Sequence, residues 1–308
     1  MNVNQRIAYG ETLASLGETD PDIVVLDADL CRSTMTTLFQ QKFPDRFFEM
    51  GIAEQNMTSA AAGLALTGKT AFTNSFAVFA AGRAYDQFRQ TIAIGNLNVK
   101  VCGSSAGLSD FGDGATHQAV EDIAVMSAIP NVSVFVPADG PETERVVRFM
   151  ARTKGPMYLR VCRGDLPIVT DDNGPEIGQA RVLADGTDVA VFACGAMTAR
   201  ALDAARMLKD KGISAKIINV NTIKPLDTAG VLDAANGMKG VVTAEEHSVI
   251  GGLGAAVSRA LRLTGHRIEY VGICDKFGQS AYGHEELLVR YGLTPEDIAN
   301  AAERVLDV

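Results

Sequence analysis

Val99-Lys100-Val101-Cys102-Gly103 is followed closely by Gly107-Leu108-Ser109-Asp110-Phe111-Gly112-Asp113-Gly114-Ala115-Thr116-His117-Gln118. The first run reads as a strand, since a short Val-rich segment ending in Gly suits a strand buried on both faces. The second, with three glycines, two aspartates and a histidine, makes a poor core. It follows a strand and opens a helix, which is where ligands bind in open α/β sheets. A lone histidine is more often structural, but His117 in such a loop is a candidate functional group.

Working outward, similar Val/Ile-rich runs occur at 23–26, 132–137, 157–161, 189–193, 215–219, 241–244 and 268–273. Segments of helical period lie between them, at 6–16, 54–66, 79–94, 141–152 and 198–211. This alternation predicts an α/β fold of mostly parallel sheets flanked by helices, joined by crossover connections. Turn formers gather at Asp165, Pro167, Asp171-Asp172-Asn173-Gly174-Pro175 and Asp185-Gly186. They place a boundary near 164–187 and divide the chain into domains at 1–170 and 180–308.

Of the 308 residues, 47% are hydrophobic and 21% charged, which excludes a disordered chain. A net charge of -9 argues against nucleic acid and anionic membrane as partners. It leaves room for a small basic pocket that takes a phosphorylated substrate. The five cysteines are odd in number and contain no C-x-x-C pair, so buried free thiols fit better than a disulfide framework or a zinc site. The amino terminus lacks a charged-then-apolar leader pattern. No apolar run approaches the roughly 18 residues a spanning helix needs. A cytoplasmic protein is the expectation.

Two further stretches carry chemistry. In Phe48-Glu49-Met50-Gly51-Ile52-Ala53-Glu54-Gln55-Asn56-Met57 a carboxylate opens an Ala-rich helix. Taken alone, Glu54 is a first-turn acid favoured by the helix dipole. In Asn74-Ser75-Phe76-Ala77-Val78-Phe79 the two phenylalanines are three apart, which would put them on one helical face, most simply as core.

Together these stretches resemble the pyrimidine-binding domain of transketolases and of 1-deoxyxylulose-5-phosphate synthases, from residue 6 to about 175. The remainder, with Glu245-Glu246-His247-Ser248-Val249-Ile250-Gly251-Gly252-Leu253-Gly254 and Asp275-Lys276-Phe277-Gly278, resembles their C-terminal domain. Gly51-Ile52-Ala53-Glu54-Gln55 and Asp113-Gly114-Ala115-Thr116-His117-Gln118 form the specific pair of motifs. The resemblance implies thiamine diphosphate as cofactor. Glu54 matches the catalytic glutamate that hydrogen-bonds N1′ of the aminopyrimidine, Phe79 the ring stacked on that pyrimidine with Phe76 beside it, and Asp29 an acid near the thiazolium. His117 and Asp113 match contacts to substrate hydroxyls, with His117 also assisting proton transfer, while Arg6, Ser33 and Arg163 match contacts to a substrate phosphate. Two positions depart from the pattern. Gly82 stands where many transketolases carry a tyrosine, and Ser105 where many carry a histidine of the phosphate cluster.

The family's diphosphate-and-metal domain has a Gly-Asp-Gly followed by paired asparagines that complete an Mg²⁺ site. Here Gly112-Asp113-Gly114 belongs to the substrate loop, and no cage of oxygen ligands is visible. The resemblance therefore implies a partner subunit carrying the diphosphate and Mg²⁺ domain, no metal ligands in this chain, and an α2β2 assembly in which two copies pair about a two-fold axis. The Glu246, His247 and Gly251–Gly254 region reads as interface and helix-entry structure. Transfer of a two-carbon ketol unit from a ketose phosphate to an aldose acceptor is the expected reaction. Arg83-Ala84-Tyr85-Asp86-Gln87 looks like the synthases, so a synthase-like enzyme or a 2-oxoacid dehydrogenase β chain stays open, as does a non-catalytic paralogue.

Overall fold

Val/Ile-rich runs have no polar face to offer water, so they pair side by side and are covered by helices on both sides. The computed structural model describes residues 2–171 and 173–307. Among these the strands are β1 (Asn2–Asn4), β2 (Ile23–Asp27), β3 (Phe47–Glu49), β4 (Thr70–Phe76), β5 (Val99–Ser104), β6 (Ser133–Phe135), β7 (Met157–Arg160), β8 (Asp165–Pro167), β9 (Arg181–Ala184), β10 (Val189–Ala193), β11 (Ala215–Asn219), β12 (Thr222–Lys224), β13 (Gly240–Ser248) and β14 (Ile268–Ile273). The helices are α1 (Gln5–Thr19), α2 (Cys31–Thr34), α3 (Thr37–Lys42), α4 (Glu54–Leu66), α5 (Tyr85–Gln87), α6 (Asp122–Ser127), α7 (Gly140–Arg152), α8 (Met197–Asp210), α9 (Thr228–Ala235), α10 (Leu253–Ala260), α11 (His284–Arg290) and α12 (Pro295–Leu306).

A seven-stranded sheet runs β12-β6-β7-β5-β4-β2-β3 and a five-stranded sheet β14-β13-β10-β11-β9. All pairings in both are parallel except β12 with β6 and β9 with β11. The α/β architecture expected from the alternation is therefore present. Tyr9, Leu13, Val147 and Met150 pack α1 and α7 on one face of the larger sheet, against Val25, Phe72 and Leu159. Each fully buried aliphatic or aromatic side chain of this kind contributes about 2 kcal/mol of transfer free energy. The opposite face joins Leu26, Ala71 and Val134 to Phe192 and Ile218 of the smaller sheet in one continuous cluster.

Some elements differ from the sequence expectation. β4 is a full central strand, buried throughout, although Thr70-Ala71-Phe72-Thr73-Asn74-Ser75-Phe76 lacks a Val/Ile-rich run. Phe76 ends that strand and Phe79 begins the next helical turn, so the two do not share a helical face. The single helix expected over 79–94 is instead α5 between two π-helical turns, Phe79–Arg83 and Phe88–Ala93. Such widened turns are frequent at functional sites. Three cysteines are buried, but Cys31 is only half-buried and Cys274 is exposed.

The second half of the chain does not stand apart from the first. β12 pairs antiparallel with β6, extending the first sheet with residues from beyond the turn-rich segment. Buried Glu142, on α7, accepts from Asn219 Nδ2 at 2.8 Å, Asn221 Nδ2 at 2.7 Å and the Ala138 amide at 2.7 Å. Arg160 faces Asp122 with its Nε at 3.0 and 3.1 Å from the two carboxylate oxygens, and its Nη2 donates to the Glu246 carbonyl at 2.8 Å. No described helix is long and apolar enough to cross a membrane.

Candidate functional site

The C-terminal ends of the parallel strands in the larger sheet point to one edge, and the sequence-predicted residues follow those ends. Asp29 follows β2, Glu54 follows β3, Phe76 ends β4, the 107–118 loop follows β5 and Arg163 follows β7. Arg6 comes from the first turn of α1, where Asn4 caps the helix by accepting from the Arg6 amide at 3.1 Å.

An aromatic trio forms the centre. The Phe76 and Phe79 rings lie 6.3 Å apart and close to parallel, at 18°. His117 meets both edge-on, at 6.1 and 5.3 Å between centroids. The phenylalanines thus come together across a strand-to-helix junction, with Phe76 buried and Phe79 half-buried. His117 Nδ1 shares a hydrogen bond of 2.9 Å with Thr116 Oγ1.

A cationic group adjoins the trio. The Arg163 guanidinium lies 5.8 Å from the Phe76 ring centre. Its Nη1 donates to Asp110 Oδ2 at 3.1 Å and to Ser105 Oγ at 3.4 Å. Arg6 Nη1 donates to the Ser33 carbonyl at 2.9 Å, and Asn4 Nδ2 donates to the Arg163 carbonyl at 3.1 Å. Burial, followed by the nearby Arg163 charge, lowers the Arg6 guanidinium from its ordinary value. Burial raises the Asp110 carboxyl, with the Arg163 charge acting against it. Arg6, Ser33, Ser105 and Arg163 are therefore brought together, while Asp113 sits exposed where the loop turns.

Glu54 and Asp29 form a second group at the same sheet edge. Glu54 is 7% exposed at the start of α4 and has no ion-pair partner among the described residues. Asp29 is exposed with a positive φ of 62°. Glu49 Oε1 accepts from the Asp29 amide at 2.8 Å and the Gly51 amide at 3.1 Å, tying Asp29 to the turn that leads into Glu54. Beneath them, burial pushes the Asp27 carboxyl up to about 6, opposed by its bonds from Thr34 and Thr36.

Several contributors were not visible as site residues in the sequence. The second half of the chain holds the 107–118 loop from outside. Glu246 Oε1 accepts from the Leu108 amide at 2.6 Å and faces His284 Nε2 at 2.9 Å. Gln118 Nε2 donates to the Gln279 carbonyl at 3.0 Å, and the Ala281 amide to the Phe111 carbonyl at 2.9 Å. Gly107, at φ 65°, lies so close that an added Cβ would stand 2.5 Å from Glu246 Oε1. Glu246 thus joins the two halves of this chain, and neighbouring Glu245 accepts from the Leu253 and Gly254 amides at the entry to α10. Asp110 carried a signal, since it lies in the Gly/Asp-rich loop, but its pairing with Arg163 spans 53 residues and cannot be seen in a local pattern.

The arrangement suits one end of a planar, nitrogen-bearing ring. It offers two aromatic faces, a buried carboxylate free of a cation, and two buried hydroxyls, Ser75 Oγ and Ser104 Oγ, that have no hydrogen-bond partner. Those orphaned hydroxyls stand near the C-terminal ends of β4 and β5, Ser104 on the same face as Phe76 and Ser75 on the other. Among the described residues no three His, Cys, Asp or Glu side chains converge as a metal-binding group.

Comparison with known proteins agrees with this geometry. Residues 2–169 match the family description "Transketolase, pyrimidine binding domain" and residues 178–298 match "Transketolase, C-terminal domain". The chain is 46% identical to a "putative transketolase C-terminal section" from Methanocaldococcus jannaschii, over 96% of this chain and 93% of that one. It is 38% identical to a 6-deoxy-6-sulfo-D-fructose transketolase subunit from a Clostridium species, over 98% and 94%. A solved structure described as a split gene transketolase, inactive beta4 tetramer, superposes with a TM-score of 0.90 at 44% identity, covering 100% of this chain and 99% of that one. Membership of this family implies a transferase that works with thiamine diphosphate. The chain belongs to the transketolase family, of which it carries the pyrimidine-binding and C-terminal domains.

Proposed function

We propose that this chain is the C-terminal subunit of a two-subunit transketolase, moving a two-carbon ketol unit from a ketose phosphate to an aldose acceptor. The observation that carries the reading is the junction of the Phe76–Phe79–His117 trio with the Arg6–Ser33–Arg163 group at one sheet edge. A cofactor ring and a substrate anion can then lie side by side. Thiamine diphosphate, when bound, supplies the nucleophilic thiazolium carbon, the chemistry that side chains lack.

The residues of this chain divide the remaining work. Glu54, held at a helix start and without a cation, hydrogen-bonds the pyrimidine nitrogen and shares a proton with it. Phe79 and Phe76 present ring faces to the pyrimidine and keep water from it. Asp29 lines the thiazolium side. His117 and Asp113 hydrogen-bond the sugar hydroxyls, and His117 gives or takes a proton there. Arg6, Ser33 and Arg163 hold a substrate phosphate through charge-assisted hydrogen bonds. The diphosphate and Mg²⁺ belong to a partner subunit, in a cytoplasmic α2β2 assembly whose sites lie between chains.

The test is calorimetric titration with thiamine diphosphate and Mg²⁺, of the chain alone and of the mixture with its partner. Binding and ketol transfer from a ketose phosphate in the mixture only is the expected result. Glu54→Gln in that mixture should lower kcat by about 10²–10⁴ without a change in unfolding midpoint. Tight Mg²⁺-dependent binding by the chain alone, or turnover of pyruvate in place of a ketose phosphate, refutes the reading.

A further inference from the structure

The Arg163 guanidinium is already engaged. Its Nη1 meets Asp110 Oδ2 at 3.1 Å, and Asp110 is 2% exposed, so this carboxylate is built into the floor of the site. The other neighbour of Nη1 is Ser105 Oγ, neutral and fully buried at a φ of 54°. Formal charges around the group are two cations, Arg6 and Arg163, and three carboxylates, Asp110, Asp113 and Asp165. Asp110 and Asp165 both act on Arg6, Asp113 acts on Asp110, and Asp165 Oδ1 is held by Asn4 Nδ2 at 2.9 Å.

A phosphate dianion lodged on Arg163 would stand about 5 Å from the Asp110 carboxylate. At an effective dielectric near 20 the bare repulsion exceeds a hundredfold in affinity, and solvent reaching the 34% exposed Arg163 side chain screens it to roughly tenfold. A hydroxyl group meets no such cost, since Asp110 Oδ and Ser105 Oγ can accept its hydrogen while Arg163 donates to its oxygen.

We propose that Asp110 is a specificity-determining residue, which holds the half-exposed Arg163 in a charge-neutral pair from its buried side and so narrows the advantage of a phosphorylated acceptor over one that ends in a hydroxyl. This rests on the ketol-transfer reading and names the substrate class its acceptor side tolerates, an unphosphorylated aldose.

The test compares D-ribose 5-phosphate with D-ribose as acceptors in the two-subunit complex, for wild type, Asp110→Asn, Asp110→Ser and Asp110→Glu. The ratio of kcat/KM for phosphorylated over unphosphorylated acceptor should rise about tenfold in the Asn and Ser variants and stay near the wild-type value in the Glu variant. A ratio that is unchanged or falls in both uncharged variants overturns the proposal. So does a wild-type preference for the phosphorylated acceptor above about a thousandfold, whatever the variants do. Phosphorus NMR titration of the single chain with inorganic phosphate reads the same pair without catalysis, and Asp110→Asn should bind about tenfold more tightly. If neither acceptor reacts in any complex while that tightening is seen, the ketol-transfer reading fails and the charge pairing stands. Equal phosphate affinity in wild type and variant sinks the pairing itself.

Discussion

Replacing Arg160 by Met removes the cation that joins the two halves of the chain. Arg160 is 7% exposed and Asp122 1%. The wild-type guanidinium makes two contacts of 3.0 and 3.1 Å with that carboxylate and donates to the Ala119 and Glu246 carbonyls at 3.3 and 2.8 Å. In the variant, Asp122 keeps the Tyr158 hydroxyl at 2.8 Å but loses its counter-charge. Breaking a buried pair by deleting one partner costs about 3–5 kcal/mol. The methionine side chain fills most of the vacated volume, so little of that loss comes from a cavity. Urea unfolding at neutral pH should show the loss as a lower midpoint with an unchanged slope. Adding Asp122→Asn should restore at least about 1 kcal/mol, because the orphaned charge disappears with it. A loss below about 1 kcal/mol for Arg160→Met, or no recovery in the double variant, would refute the view that an uncompensated buried charge dominates.

Two further perturbations test how the second half of the chain supports the site. Gly107→Ala forces a side chain into a positive φ and against Glu246 Oε1; strain plus the weakened Leu108-to-Glu246 bond should cost about 3 kcal/mol and lower kcat, checked by urea unfolding and the transfer assay. Burial pushes the Glu245 carboxyl up to about 7 from an ordinary 4.5, against the Gly254 and Leu253 amides that favour its charge. Between those two values the folded chain holds a proton that the unfolded chain has released, so this contribution is full at low pH and is lost as pH rises through 7. Glu245→Gln should therefore improve relative to wild type by about 3 kcal/mol between pH 4 and pH 8.5 in urea unfolding, and a pH-independent difference would contradict this.

The fold was legible because β2, β5, β10, β11, β13 and β14 are all Val/Ile-rich and spaced by helical segments. β4 escaped because Thr and Asn stand where Val was expected, and Asn74 is needed there to donate from its Nδ2 to the Leu26 carbonyl at 2.9 Å and to accept from the Tyr9 hydroxyl. β12 escaped because three residues carry no period, and what makes them a strand is the edge of β6. In the site, Glu54, Phe79, His117 and Arg163 could be named from motif resemblance, since each lies in a short recognisable string. Glu246, Gln279, Ala281 and Asp110 could not, because each acts through a partner tens to more than a hundred residues away.

The addition of β12 to the first sheet has a consequence for how substrate reaches the site. Swinging the two halves of this chain apart would strip a strand from the β6 edge, separate Phe192 and Ile218 from Val134, and unpair Glu142 from both asparagines. No hinge of low cost runs between them. The wall that this chain gives the proposed site is thus a fixed one, and gating of that site falls to the loops that follow the strand ends.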